Sequence, residues 1–409
     1  MHRLALAGLV PALFAAPGGA QTAPVITEAE FLSVLDESHP AVAEGAEDLG
    51  IARAQRLDAS TLENPTLSVV REDPSGAVRQ TDWTLSWQLP EAARRAQIEA
   101  HDQAVVAAEA RLSQRLMTLR LTMREAYAEW AVAVARQERL TAQAERVDAL
   151  ALREAARAER GETSSLEAHR LELAAVSLRS RAALSAAAAE AAWAAAAVWN
   201  PAIPTNARPT LPVLPPPPDL ADFHPSVAAA EADLAEVTLE REAAGRLIGS
   251  PEVTVGWQRQ EMGPEEATGA IVGLAWSVPL LDRNRAEKAA SDSRISAAQA
   301  RLERVRREVS AARPAARAAY ETLAAALENA EAQLAVSGRA LDGAEAAFRH
   351  GETTLTDLLD THRSVGEAEL ALLDLYERAL ATHRELHRLA ASGSPADLPN
   401  QSLSSEPMP

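Results

Sequence analysis

Gly161-Glu162-Thr163 returns as Gly351-Glu352-Thr353, and this echo decides how the whole chain divides. Four other pairs keep nearly the same separation: His39-Pro40 with His224-Pro225, Asn64-Pro65 with Ser250-Pro251, Pro90 with Pro279, and Ala126-Tyr127 with Ala319-Tyr320. In chain order the offsets are 185, 186, 189, 193 and, for the glycine tips, 190. Near-constant offsets in a constant order predict two copies of one unit: helix, strand, strand, long helix, return helix. On this division 1–20 is a signal segment, 21–200 the first copy, 201–223 a Pro-rich linker, 224–391 the second copy and 392–409 a tail. The linker contains Pro215-Pro216-Pro217-Pro218, so it is expected to be extended and to run over a surface between the halves.

The tracts that lead into the two tips, 91–160 and 283–350, are 70 and 68 residues long. At about 1.5 Å per residue each would span roughly 100 Å, too long for a helix inside a compact domain. A heptad seam runs through Ile98, Val105, Leu112, Leu119, Ala126, Trp130, Leu140 and Val147 of the first. In the second it passes Ile295, Leu302, Val309, Ala316, Tyr320, Leu327, Leu334, Leu341 and Phe348. The extra step of four from Ala316 to Tyr320 is a stutter beside Pro314, where a bend or local unwinding is expected. Return helices over 166–199 and 355–391 are about half as long as these tracts. Leading helices over 41–62 and 226–248 supply the missing length if leading and return helices stack end to end against the long ones.

Between leading and long helix each copy holds two short strands. Trp83, Leu85, Trp87 and Leu89 alternate with Thr84, Ser86 and Gln88, a period of two with one apolar and one polar face. Val272, Leu274, Trp276 and Val278 form the counterpart, and 66–72 and 252–260 are the partner strands. Trp83, Trp87, Trp257 and Trp276 on the apolar side suit a membrane interface; the alternative is a soluble sandwich whose tryptophans are core. In lipid, four strands leave open edges whose unpaired backbone groups cost several kcal/mol each, so the chain must oligomerise. Two copies give eight strands, usually filled by side chains, whereas three give twelve and leave a pore, which the polar face favours. The expected fold is mainly α, with antiparallel coiled-coil hairpins forming a trimeric α-barrel and four strands per chain entering a twelve-stranded β-barrel.

Composition narrows the function. The net charge of −18, from 58 acidic and 40 basic residues, disfavours a nucleic-acid partner. Long tracts are rich in Ala, Glu, Arg and Leu while aromatics are 3%, which favours close-packed long helices. Met1-His2-Arg3, the apolar run over 4–16 and Gly18-Gly19-Ala20 resemble a secretory signal peptide cleaved after Ala20. With no cysteine there is neither a disulfide framework nor a cysteine lipid anchor. No uninterrupted apolar run of 18 residues follows the signal, so no transmembrane helix is expected. Without a cysteine, a phosphate-cradling glycine loop or a glycine-flanked serine elbow, the chain is not expected to be an enzyme or to carry a cofactor.

These features resemble the TolC-like outer-membrane efflux proteins, trimers with a twelve-stranded barrel and a long periplasmic α-barrel. The resemblance rests on the duplicated architecture, Asn64-Pro65 before the first strand, Pro90 and Pro279, and most specifically Gly351-Glu352-Thr353-Thr354-Leu355-Thr356-Asp357-Leu358-Leu359-Asp360. Glu63-Asn64-Pro65-Thr66-Leu67 and Pro279-Leu280-Leu281-Asp282-Arg283-Asn284 look like the heavy-metal (CzcC-like) branch. The resemblance implies an outer-membrane location extending into the periplasm, and passive conduction of metal cations or small toxic compounds. It further implies two partners, a periplasmic adaptor and an inner-membrane pump. A periplasmic coiled-coil adaptor or scaffold is the alternative; it would share the hairpins but need no tryptophan-bearing strands.

By the same resemblance Asp357, Asp360 and Glu167 line a periplasmic gate, where threefold symmetry would turn the aspartates into six carboxylates that attract cations. The plainer reading is helix N-terminal carboxylates favoured by the macrodipole. Thr353 stands where family members place an arginine that pairs with the gate glutamate, so the gate is expected to be held by packing, hydroxyl bonds and divalent cations. Arg160, Gly161, Glu162, Thr163 and His350, Gly351, Glu352, Thr353 are the tips that would dock the adaptor; as plain geometry they are turns with a left-handed glycine. His383 and His387, four apart on a helix, are expected on a solvated face and not as metal ligands, and His169 and His362 likewise.

Overall fold

The computed structural model describes residues 23–35, 39–73, 79–90, 94–218, 224–245, 251–262, 264–276 and 284–390. The expected signal segment, the strand-ending Pro279 and the tail beyond 391 lie outside these residues. The order of elements is β1 (Val25–Ile26), α1 (Glu28–Leu32), α2 (Pro40–Ser60), β2 (Thr66–Glu72), β3 (Arg79–Gln88), α3 (Arg94–Glu159), α4 (Ser165–Trp199), β4 (Arg208–Pro209), α5 (Pro225–Gly245), β5 (Glu252–Met262), β6 (Glu265–Ala275), α6 (Arg285–His350) and α7 (Leu355–Ala390). The sequence helix, strand, strand, long helix, return helix therefore occurs twice, as α2-β2-β3-α3-α4 and α5-β5-β6-α6-α7.

Both long helices contain 66 residues, about 100 Å of α-helix each. Their heptad seams face packing partners: Leu112, Leu119, Trp130, Leu140 and Val147 of α3 are buried, as are Leu302, Val309, Tyr320, Leu327 and Leu341 of α6. No seam position named above in either helix is exposed. The unwinding expected at Pro314 does not occur, because α6 runs through it as continuous helix. Its missing N–H removes one bond from a long ladder whose other bonds and packed seam hold the helix together.

The contacts divide the chain into two compact units, Met1–Leu32 with Ala126–Pro212 and Ser33–Glu125 with Val213–Pro409. In the first unit, the part of α3 from Ala126 packs on α4 through Val147, Leu171, Ala175 and Ala196, with Arg179 paired to Asp148 at 3.4 Å. Its core is aromatic. Tyr127 is fully buried, 5.4 Å from the Phe31 ring and 6.0 Å from Trp130 in an edge-on arrangement.

The part of the linker in this unit is extended, as its prolines imply, and is tied into a two-stranded sheet. β4 pairs in parallel with β1, Val25 opposite Arg208 and Ile26 opposite Pro209. The Tyr127 hydroxyl lies 2.8 Å from the carbonyls of both Ile26 and Thr210 and accepts the Thr210 N–H at 3.1 Å. Asn200 caps the end of α4, donates to the Phe31 carbonyl at 3.2 Å and accepts from the Ala202 N–H. Proline forbids helix but leaves carbonyls free to accept, and the tyrosine takes them.

By length and composition Ser165–Trp199 is a helix apolar enough to cross a membrane, although only 17% of its most apolar stretch is buried. Its apolar character comes from alanine, which Ser185 and Glu190 interrupt without offsetting.

The second unit contains the hairpin of α6 and α7, the packing of α5 on α6, and one antiparallel sheet in the order β2-β3-β5-β6. Ion pairs cross the helices: Arg111 and Arg301 both reach Asp233, at 2.5 and 3.0 Å, and Arg56 reaches Asp102 at 2.7 Å. Tyr320 repeats the tethering role of Tyr127, donating its hydroxyl to the Pro215 carbonyl.

Candidate membrane face and gate residues

The sheet carries the residues picked out for the membrane. Its register aligns Val69, Trp83, Trp257 and Ala270 in one row across all four strands. The next rows are Leu67, Leu85, Val255 and Val272, then Trp87, Val253 and Leu274. Successive strand residues point to opposite faces, so all three rows share one side. That side is bare: Leu67 is 71% exposed, Val272 80%, and the four strand-region tryptophans between 39 and 55%. An apolar face of this extent left in water would be an aggregation hazard, each large side chain forgoing about 1.5–3 kcal/mol of burial.

The opposite face is polar. Thr66, Ser86 and Thr254 form one row and Asp82 and Gln258 belong to another, with Ser86 and Thr254 hydroxyls 2.9 Å apart and Gln260 bonded to Gln80 at 3.2 Å. β2 and β6 are edges with no further strand in the sheet among the described residues. The strand containing Trp276 was expected to run to Val278, but β6 ends at Ala275 and Trp276 lies just past it. The strand instead starts earlier, at Glu265, because β5 pairs with β6 as far as Met262 opposite Glu265.

Both glycine tips are turns of one kind. Gly161 has φ +72° and Gly351 φ +75°, the left-handed region that costs a side chain about 1–2 kcal/mol. In each, the next N–H reaches back to close the helix: Glu162 to the Arg157 carbonyl and Glu352 to the Ala347 carbonyl, both 2.9 Å. At the first tip Arg160 pairs with Glu162 at 2.7 Å, which holds the Glu162 carboxyl below its ordinary range, and Thr163 donates to Glu167 at 2.8 Å. At the second, His350 ends α6, and Thr353 and Thr354 donate to Asp357 at 3.4 and 2.6 Å.

The gate candidates are therefore engaged locally. The Asp357 N–H bonds the Thr354 hydroxyl at 3.3 Å, a helix-capping arrangement, and the Thr354 hydroxyl holds the Asp357 carboxyl below its usual value. Asp360 pairs with Arg363 at 3.1 Å, a neighbour the sequence reading did not take up. Each hydroxyl that could hold a gate, Thr163 on Glu167 and Thr353 on Asp357, acts within its own hairpin. Glu167 belongs to the first unit, and Asp357 and Asp360 to the second.

The histidines of α7 do not lie on a solvated face. His383 is 5% exposed, its ring tilted against Tyr320 at 5.5 Å and 4.5 Å edge-on from His387. The face of α7 that carries them packs on α6 and beneath the proline segment; the Pro216 carbonyl bonds His383. His362 is likewise buried, 3.3 Å from Glu345, whereas His169 is exposed. Among the described residues no three His, Cys, Asp or Glu side chains cluster as metal ligands.

Burial, then His383 and Arg124, push the His387 pKa down to about 4. Its ordinary value is about 6.5, so between pH ~6.5 and ~4 the unfolded chain binds a proton that the folded chain rejects. The stability contributed by neutral His387 is complete above pH ~6.5 and is lost as pH falls through that window. Because the ring is only half-buried, solvent screening limits the loss to about 1–2 kcal/mol. Thermal melts at pH 7.5 and 4.5 are expected to show a smaller pH-dependent drop for His387→Gln than for the wild type; parallel drops would refute the assignment.

Comparison with known proteins bears directly on this architecture. Residues 218–392 match the family model described as outer membrane efflux protein. The nickel-cobalt-cadmium resistance protein NccC of Alcaligenes xylosoxydans xylosoxydans is 43% identical over 99 residues, 23% of this chain and 22% of that protein. The nickel and cobalt resistance protein CnrC of Cupriavidus metallidurans is 38% identical over 119 residues, 28% of this chain and 27% of that one. The matched stretches thus span about a quarter of these relatives. The fold is that of the outer membrane protein VceC of Vibrio cholerae, with a TM-score of 0.72 at 16% identity, covering 90% of this chain and 95% of that one. The resemblance to TolC-like efflux proteins and the outer-membrane location are borne out.

Proposed function

We propose, from the match of residues 218–392 to the outer membrane efflux protein model, that the whole chain is the outer-membrane channel subunit of a tripartite efflux system. The observation that carries this reading is the four-stranded sheet, apolar and exposed on one side, polar on the other, and open at both edges among the described residues. Three copies joined edge to edge would give twelve strands, satisfy the edge N–H and C=O groups, and enclose a lumen lined by Thr84, Ser86, Gln88, Thr254 and Gln258. The recurrence of element order supports an internal duplication, each copy giving two strands and one long hairpin.

The channel would conduct passively what an inner-membrane pump delivers through a periplasmic adaptor. The tips at Arg160–Thr163 and His350–Thr353 offer the adaptor two rigid glycine turns of the same geometry. Heavy-metal cations are the first substrate class, supported by the likeness to two metal-resistance proteins, and small toxic compounds the second. An acidic constriction at Asp357 and Asp360 suits cations, and Asp357, held ionised by its threonine hydroxyls, keeps its charge to low pH.

Single-channel recording in a planar bilayer tests this. The wild type is expected to show a small cation-selective conductance, and Asp357→Asn with Asp360→Asn to conduct with reduced selectivity. Conductance without a selectivity change would remove the gate assignment alone. A folded protein with no conductance in either form would favour the scaffold alternative.

A further inference from the structure

Two residues beyond the Trp83 and Trp257 row, on the same apolar face, the register brings Arg71, Thr81, Arg259 and Thr268 into line. The following row is Arg79, Glu261 and Glu266. The apolar rows thus end abruptly in charge at the hairpin end of the sheet, the end farther from the helices. Along β5 the step from Pro251 to Arg259 is eight residues, roughly 27 Å of strand, or about 20 Å along the normal of a barrel tilted by ~40°. That is close to the height of the lipid-facing band, so these arginines stand where headgroups begin.

The arginines differ in how they are neutralised. Arg259 reaches Glu266 at 2.5 Å and Glu261 at 3.4 Å, and Arg79 reaches Asp73 at 3.1 Å and Glu261 at 3.5 Å. Arg71 is exposed and has no acidic partner among the described residues. Beside it on β3 is the Thr81 hydroxyl, and one row below on the same face is the Trp83 indole. A cation and a hydroxyl side by side, with an amphipathic ring one row beneath them, match a phosphorylated lipid, with phosphate above and acyl chain beneath.

We propose that Arg71, with Thr81 and Trp83, forms a binding site for the phosphate of an anionic glycolipid in the outer leaflet. The site rests on the reading of the sheet as membrane-embedded. It gives each copy one fixed phosphate contact on an edge strand, where it would seat lipid beside the junction between copies.

The test uses the purified full-length protein in neutral detergent with lipid A, and with the same lipid stripped of its phosphates, followed by native mass spectrometry. The wild type is expected to retain the phosphorylated form roughly tenfold better, Arg71→Gln to lose that preference, and Arg71→Lys to keep part of it. Equal retention of both lipids by the wild type, or an unchanged preference in Arg71→Gln, overturns the proposal. So does a loss of oligomer in Arg71→Gln with lipid preference intact, which would assign Arg71 to a neighbouring copy. Insertion into phosphatidylcholine vesicles is measured in parallel. A folded wild type that fails to insert removes the membrane reading itself, whereas normal insertion without phosphate preference removes only the lipid site.

Discussion

Leu85→Arg is expected to abolish stable membrane insertion while leaving the helices intact. Leu85 sits in the middle of the apolar face, in the row with Leu67, Val255 and Val272, all exposed. An arginine near the bilayer midplane on the lipid face of a barrel costs about 2–4 kcal/mol. In the proposed trimer, threefold repetition would raise this to roughly 6–12 kcal/mol, comparable to the whole stability of an ordinary domain. The matched control is Thr84→Arg, one residue away on the polar face, which is expected to insert normally and to change conductance. Flotation with outer-membrane vesicles and resistance to urea extraction measure both. If Leu85→Arg floats as the wild type does, the apolar face does not meet lipid and another protein surface must cover it.

The second large effect is expected at Tyr127, in the aromatic core of the first unit. Removing a fully buried aromatic side chain costs about 3–5 kcal/mol, and truncation also strips the Thr210 N–H and the Ile26 and Thr210 carbonyls of their shared partner. Tyr127→Ala is therefore expected to lower the unfolding midpoint sharply and to expose the segment 201–212 to protease. Tyr127→Phe keeps the ring and isolates the hydroxyl, for an expected loss of about 1–2 kcal/mol with the same new cleavage. Full protease resistance in both variants would show that β1 and β4 hold the linker without the tyrosine.

Much of the candidate site was legible because its signals are short-range. Thr84, Ser86 and Gln88 alternate with Trp83, Leu85 and Trp87, and the two faces found in the sheet are those faces. The glycines at 161 and 351 mark reversals that only a left-handed residue closes without strain. The tyrosines of the two Ala-Tyr pairs were visible as landmarks of the repeat, and their corresponding place in its order was the available sign of a shared role. What that role is depends on Thr210 and Pro215, 83 and 105 residues away, and no local pattern joins them.

The proposed gate residues show where local pattern stops and tertiary contact begins. The spacing of Asp357 and Asp360 puts both on one stretch of α7, yet the bonds of one to Thr354 and the other to Arg363 are choices of side-chain rotamer. His383 and His387 show it again, since their spacing defines a helix face and says nothing of what covers it.

By itself the sequence determined the order of elements, the length of the helices, the two faces of each strand and the positions of the tips. Those follow from periods of two and seven residues and from the conformational freedom of glycine, all of which act within a few residues. Only the tertiary structure decided that the linker pairs as β4 with β1, that Tyr127 and Tyr320 tether it, that α6 passes unbroken through Pro314 and that His362 and His383 of α7 are buried. These outcomes rest on which groups across long stretches of chain satisfy one another's hydrogen bonds and exclude water, a balance that is settled only when the distant partners meet.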